Sequence, residues 1–283
     1  MKDITLDNIA PVVVNSLAGI SEPRLRELLQ GLVVHLHQYA REVHLTHAEW
    51  RAALAFLHRT GAISGDTRSE FSLLSDVLGL STLVDLLASH PDATPGSVLG
   101  PFHALGSPWR ENPVNLICGN IGQAVVLRGR VTNAAGQSLP DATLDFWQNA
   151  DNGLYWQMDP AQPPDNLRCE LKVDADGHFA IATIRPQPYP IPTDGPVWRD
   201  VVAPAGRSAW RPAHFHLIVS APGHQTVVTE LFDAEDPYLH TDAVFGVRDA
   251  LVFHYQLQED HETVLLVGTG PIPVMEVELR LPT

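Results

Sequence analysis

From about Pro101 onward the chain consists of short apolar runs separated by turn residues. No helical crossovers lie between them, which argues against a parallel α/β sheet and for an all-β sandwich. The runs are Val125 to Val131 before Asn133 to Gly136, Phe179 to Ile184 after Asp174 to Gly177, and Leu217 to Ser220 before Pro222-Gly223. Thr226 to Phe232, Leu251 to Tyr255, Thr263 to Val267 and Met275 to Leu281 follow, each short enough for one strand.

The first hundred residues read instead as helices. Ser21 precedes Glu22 and Pro23, a cap followed by proline in the first turn, and Leu25, Leu28, Leu29, Leu32 and Leu36 then recur at helical spacing on a face expected to be buried. Thr46 and Glu49 form a capping box ahead of Trp50, Leu54 and Leu57, with Gly61 expected to end that helix. A third stretch runs from Phe71 to Leu87 with Gly79 as a break, and stops at the loop signal Pro91 to Gly96. The expectation is therefore a helical domain over residues 1–100 and an antiparallel β-sandwich over 101–283.

Charge excludes some partners. The formal net charge is -15, from 33 acids against 18 bases, so nucleic acid and anionic membrane surfaces would meet repulsion. Cys118 and Cys169 are the only cysteines, too few for a disulfide framework, and a reducing compartment is the default. The run Ala10 to Val14 lacks the basic flank and length of a signal peptide, and no stretch reaches transmembrane length. The cytoplasm is the expected address, without membrane insertion.

The chemistry-bearing residues are Tyr155, Tyr189 and the tripeptide His214-Phe215-His216. On a strand, His214 and His216 share one face while Phe215 points into a core. His35 and His37 have the same spacing but lie in a helix, where residues two apart do not share a face, so they read as structural, one partly buried and one exposed. A phenol is a poor ligand until a strongly Lewis-acidic metal such as ferric iron ionises it. Two phenolates and one hydroxide would cancel the charge of that ion, and a chelating diol dianion would replace one phenolate and the hydroxide without burying net charge. Prolines 186, 188, 190, 192 and 196 crowd Tyr189 and either stiffen its loop or form an inert connector.

The segments Asp145 to Tyr155, Pro188 to Val197 and Arg207 to His216 together resemble the intradiol ring-cleaving dioxygenases. The likeness extends from the helical part through Leu99-Gly100-Pro101-Phe102 to Asp242-Ala243-Val244-Phe245-Gly246. Tyr189-Pro190-Ile191-Pro192, Asp194-Gly195-Pro196-Val197 and the 242–246 segment are most similar to the hydroxyquinol 1,2-dioxygenases, with the catechol 1,2-dioxygenases as the alternative. Trp198 stands where the family often has glycine, and Glu230 where an amide or histidine is more usual.

The resemblance implies one Fe(III) per subunit held by Tyr155, Tyr189, His214 and His216. Tyr189 would be the axial ligand that leaves and takes a substrate proton, Tyr155 the tyrosinate that stays, His216 axial and His214 equatorial. It also implies that Arg211 stabilises negative charge on the substrate, that Glu230 pairs with Arg211, and that the pocket is walled by Leu73, Asp76, Val98, Leu99, Gly100, Pro101, Phe102, Ile191, Pro192 and Val244. Asp76 either accepts a hydrogen bond from a third substrate hydroxyl or caps its own helix. The helices either pack on the β domain alone or form a homodimer interface around bound phospholipid, as the family does. Outside the family, a zinc-stabilised sandwich module and a ferrous site of two histidines plus Glu230 are the competing readings.

Overall fold

The computed structural model describes residues 3–66, 68–268 and 270–283. They fall into two compact units that divide between His58 and Arg59. No single helix among the described residues is long and apolar enough to cross a membrane.

The first unit holds α1 (Ile9–Ser16), α2 (Pro23–Glu42) and most of α3 (His47–Ile63). The cap of α2 is Glu22 rather than Ser21: its carboxylate accepts from the backbone of Arg24 and Leu25, with Pro23 behind it where no N–H is needed. The capping box of α3 forms as expected, with Thr46 N 2.8 Å from Glu49 Oε2 and Glu49 N 3.3 Å from Thr46 Oγ1. Gly61 does not end that helix, which runs on to Ile63, because a single glycine weakens a helix without breaking it. The expected burial of the α2 leucines is not found: Leu25, Leu28, Leu32 and Leu36 are exposed, from 47% for Leu25 to 55% for Leu36, and Leu29 is half-buried. His35 is exposed and His37 half-buried.

The second unit opens with α4 (Glu70–Val77) and α5 (Leu80–Ala88), bent by 74° at Gly79, whose φ of 72° lies in the left-handed region. Ser69 caps α4, and its inward face carries Glu70, Leu73, Asp76 and Val77, so two carboxylates are buried with the apolar residues.

The strands are β1 (Trp109–Arg110), β2 (Val114–Asn115), β3 (Ala124–Asn133), β4 (Thr143–Trp147), β5 (Arg168–Lys172), β6 (His178–Ile184), β7 (Tyr189–Pro190), β8 (Trp210–Arg211), β9 (His214–Ser220), β10 (Val227–Asp233), β11 (Val252–Phe253), β12 (Gln256–Gln258) and β13 (Ile272–Leu281). One sheet has the order β1-β5-β4-β9-β10-β11, the other β12-β13-β3-β6-β2, and β7 pairs with β8 alone. Phe146, Cys169, Phe215 and Leu217 from the first sheet pack with Leu127, Phe179, Ile181 and Met275 from the second in one core. Full burial of each such large side chain contributes roughly 1.5–3 kcal/mol.

Two details depart from the sequence reading. The sheets are mixed, since β3 and β13 run parallel over eight residue pairs and β1–β5, β2–β6 and β10–β11 are also parallel. Thr263 to Val267 is not a strand but part of α6 (His261–Val267). Asp260 caps it by accepting from Thr263 N at 3.0 Å, and a short apolar run between turns carries no period that separates the two states.

Gly129 sits opposite Val277 in the parallel pair, where a Cβ would run into the Val277 carbonyl oxygen. Gly129→Ala should therefore lower the unfolding free energy by about 3 kcal/mol, the upper part of the range for overpacked cores. Urea melts that superimpose on the wild type would contradict this packing.

Candidate metal centre

Strand β9 divides its side chains between two faces. Phe215, Leu217 and Val219 enter the sandwich core, whereas His214 and His216 stand on the opposite face of the six-stranded sheet. On that face β4 and β10 add neighbours in register: Trp147 and Glu230 flank His216, and Phe232 lies opposite His214. Trp147 stacks on the His216 ring at 4.8 Å between centroids and 4° between planes. On the chain side, Gly100 comes so close that a Cβ would lie 3.2 Å from His216 Cε1.

The hairpin of β7 and β8 brings Tyr189 opposite Arg211. Its loop is tied to α4: Arg68 donates to both carboxylate oxygens of Asp194 at 2.8 Å, and the buried Glu70 accepts from Val197 N at 3.2 Å. Glu70 occupies the space that a Cβ on Gly195 would need, so that turn requires glycine. Tyr155 follows the Asp151 to Gly153 turn and stacks on Phe102 at 4.7 Å.

These elements converge. Tyr155 and Tyr189 meet edge to face at 5.4 Å, Tyr189 and His214 at 5.6 Å, Tyr155 and His216 at 6.1 Å, and His214 and His216 at 4.6 Å between ring centroids. The two imidazole Nε2 atoms are 3.1 Å apart. His214 Nδ1 lies 2.6 Å from the Pro212 carbonyl, which fixes the proton there and leaves Nε2 free as a ligand atom. All four side chains are buried, and Tyr155 Oη has no hydrogen-bond partner among the described residues.

The electrostatics suit a cation. Burial, aided by Arg211, lowers His214 to about 3, and burial drives His216 well below the ordinary histidine value, so both imidazoles stay neutral as ligation requires. Burial raises Tyr155 well above the usual phenol value and raises Tyr189 as well, with Arg211 opposing the shift at Tyr189. Without a highly charged ion both phenols therefore remain protonated. Two neutral imidazoles and two phenols, one of them unpartnered, are a donor set that fits a hard trivalent metal.

Arg211 turns back toward His214. Pro212 separates β8 from β9, and the guanidinium Nη1 returns to 3.2 Å from His214 Nε2. It is buried and donates to Glu230 through Nη1 at 2.6 Å and Nη2 at 3.0 Å, and to Asp242 through Nε at 3.0 Å. Burial pushes Asp242 up, but Arg211 outweighs it and holds that carboxyl below its ordinary value.

A cavity of about 390 Å³ opens beside the phenols, lined by Phe102, Tyr155, Tyr189, Ile191 and Pro192 among others. Leu73, Val98, Gly100, Pro101 and Val244 are buried, whereas Leu99 is exposed. Asp76 is buried; Ser81 Oγ donates to its Oδ1 at 2.6 Å, and Oδ2 has no partner among the described residues. A larger cavity of about 570 Å³ lies over β3, β6 and β13, with Arg128, Arg130, Glu262 and Glu276 in its wall. Arg128 is already ion-paired to Glu262 and Glu276, and the chemistry-bearing cluster lies elsewhere.

The comparisons with known proteins agree with this geometry. The profile described as Dioxygenase matches residues 98–278, and that described as Catechol dioxygenase N terminus matches residues 22–96. The chain belongs to the intradiol ring-cleavage dioxygenase family. It is 41% identical to the hydroxyquinol 1,2-dioxygenase of Nocardioides simplex over 87% of this chain and 84% of that one. It is 37% identical to the catechol 1,2-dioxygenase of Candida albicans over 90% of this chain and 86% of that one. The crystal structure of hydroxyquinol 1,2-dioxygenase from Pseudomonas putida superimposes with a TM-score of 0.83 at 41% identity, covering 98% of each chain. Members of this family are oxidoreductases that open aromatic diols with O2 and use non-haem iron.

Sequence reasoning missed four contributors. Trp147 and Ser97 needed the strand register and the fold around Glu230, and Glu70 looks like an ordinary acid in the first turn of a helix. Asp242 stood in a segment used for the family likeness but had been given no task.

Asp76 supplies a pH signature. Burial, partly offset by Ser81 and Arg211, raises its pKa from 3.8 to about 6. Between those values the native state holds a proton that the unfolded state has released, so wild-type stability falls as pH rises through the window and is level above it. In metal-free protein, Asp76→Asn should therefore gain about 2–3 kcal/mol on the wild type between pH 4 and 6 and no more beyond, as read by urea unfolding at a series of pH values. A pH-independent difference would show that the buried carboxyl carries no such penalty.

Proposed function

We propose that this chain binds one Fe(III) per subunit through Tyr155, Tyr189, His214 and His216, and cleaves hydroxyquinol between adjacent hydroxyl-bearing carbons. Both atoms of O2 enter the product, 3-hydroxy-cis,cis-muconate and its tautomer maleylacetate. The observation that carries the reading is the meeting of the two imidazole Nε2 atoms, 3.1 Å apart, with two buried phenols of which one is unpartnered. Hydroxyquinol is favoured by the 41% identity to the Nocardioides simplex enzyme of that name, and catechol remains the second reading through the Candida albicans relative.

When bound, the ferric ion would grip both oxygens of the diol and make the ring electron-rich toward O2. The protein does the rest. Tyr189, opposite Arg211, would help hold the metal and would accept a proton from the incoming hydroxyl. Arg211 supplies positive charge beside His214, where negative charge on the substrate needs it. Phe102, Ile191 and Pro192 give the ring an apolar wall that excludes water. The unpartnered Oδ2 of Asp76 is the acceptor offered to a third hydroxyl, which catechol lacks.

His214, His216 and Glu230 also form a cluster whose ligand atoms lie within 4.8 Å of one another, the arrangement a ferrous or zinc site would use. Glu230, however, is already engaged by Arg211 and Ser97, which disfavours it as a ligand. Colour separates the cases, because only ferric tyrosinate gives a visible charge-transfer band. The exposed α2 leucines support a homodimer built on the helical domain of residues 1–100, with phospholipid as its companion, and a cytoplasmic address completes the reading.

Purified iron-loaded protein should be coloured and consume one O2 per hydroxyquinol, faster than with catechol. Colourless protein inert toward both diols would remove the reading, and a preference for catechol would leave the ligands but change the substrate. Sedimentation at micromolar concentration should give a dimer; a monomer would sink the assembly.

A further inference from the structure

Glu230 lies across the β10–β9 ladder from His216, and its side chain touches both imidazoles: Oε1 is 3.3 Å from His214 Nε2 and 3.4 Å from His216 Nδ1. The His216 contact is close but lacks hydrogen-bond alignment, and His216 Nδ1 has no other partner among the described residues. Glu230 is fully buried. Its oxygens accept from Arg211 Nη1 at 2.6 Å, Arg211 Nη2 at 3.0 Å and Ser97 Oγ at 2.6 Å, and Ser97 Oγ is also 2.9 Å from the Gly246 carbonyl. Arg211 meets the Glu230 carboxylate with two guanidinium N–H groups in a forked pair, while the single Ser97 hydroxyl proton is shared between Glu230 and the Gly246 carbonyl.

Arg211 is shared with Asp242, whose Oδ1 lies 3.0 Å from Nε and whose Oδ2 lies 3.4 Å from Nη2. One guanidinium against two carboxylates leaves one net negative charge in a buried network, directly behind the two histidines. A Cβ on Gly246 would lie 2.8 Å from Glu230 Oε2 and 2.9 Å from Arg211 Nη2, so the backbone there packs directly against the ion pair.

We propose that Glu230 is a positioning residue for the metal centre, lying against the Nδ1 edge of the His216 ring and keeping a negative charge beside the bound iron so that the ferric state is favoured over the ferrous. The inference rests on the reading that His214 and His216 hold iron. An anionic partner on the outer nitrogen of a ligating imidazole orients the ring and raises its basicity. A negative charge a few ångströms from the ion also stabilises the trivalent state more than the divalent one, because the Coulomb energy scales with the ion's charge. An amide would orient the ring as well but would supply no charge. The carboxylate therefore makes this centre harder to reduce, and it moderates the positive field of Arg211 at the same time.

The test compares iron-loaded wild type with Glu230→Gln, which keeps the shape and removes the charge. The variant should retain its iron. Its tyrosinate charge-transfer band should move to longer wavelength and its midpoint potential should rise, since the iron becomes easier to reduce. Asp242→Asn removes an equal charge from a residue that touches Arg211 but neither imidazole, and should move both readouts the same way by less. It keeps the test decisive should Glu230→Gln not accumulate, because an unmoved band and potential there would also count against the idea. A wild-type band with no shift in the variants overturns the role of Glu230 and leaves the four ligands standing. Loss of iron from Glu230→Gln together with an unmoved band and potential in Asp242→Asn would overturn the charge-tuning role. Iron-loaded wild type without the band would remove the ligand set and the inference together.

Discussion

The register of β9 is the constraint on which the site depends. Its two-residue alternation sends Phe215 into a core where it meets Phe146 at 5.6 Å, and leaves His214 and His216 on the other face. A slip of one residue would bury the imidazoles in the sandwich and expose the phenylalanine, losing both the hydrophobic contribution and the cluster. The same register places Trp147 and Glu230 on either side of His216, so one ladder supplies a stacking wall and a charge. The energy that fixes these side chains is therefore the core's own. The histidine side of the site needs no separate scaffold.

Buried charge is the second organising term. The cluster without metal contains two neutral imidazoles, two neutral phenols and the Arg211–Glu230–Asp242 network with its single excess negative charge. A buried negative excess is costly alone and is relieved by a cation, which makes the arrangement receptive to one. Tyrosines that resist ionisation add selectivity. Only an ion acidic enough to displace both phenolic protons gains all four donors, whereas a weaker Lewis acid would see mainly the histidines.

Much of this was legible in the sequence because it rests on local rules. Thr46 and Glu49 signal a capping box three residues apart, Gly79 signals a bend through its left-handed φ, and His-Phe-His on a strand signals a shared face. What stayed hidden depends on partners far along the chain. Thr263 to Val267 carries five residues of apolar or β-branched character, and only the Asp260 cap decides for helix. The parallel pairing of β13 with β3 joins segments separated by most of the β domain, and no turn signal announces it. Ser21 and Glu22 are both acceptable caps before Pro23, and the choice is made by backbone geometry at Glu22. The α2 leucines show the opposite case: their period was read correctly, but a period says which side chains share a face and not whether that face is covered within one chain.

Proline stiffness alone does not place Tyr189, although it looks sufficient on paper. The prolines restrict φ on either side of the tyrosine, but they leave the loop free to swing as a unit. That freedom is removed by Arg68 and Glu70, which bind Asp194 within the proline run and Val197 just beyond it. Glu70 begins α4, and Asp76 lies on the same inward face of that helix. The loop that carries Tyr189 is thus tied through a buried carboxylate to the same short helix that carries Asp76. Movement of α4 would therefore be felt at both, which couples the Tyr189 loop to Asp76 through one helix.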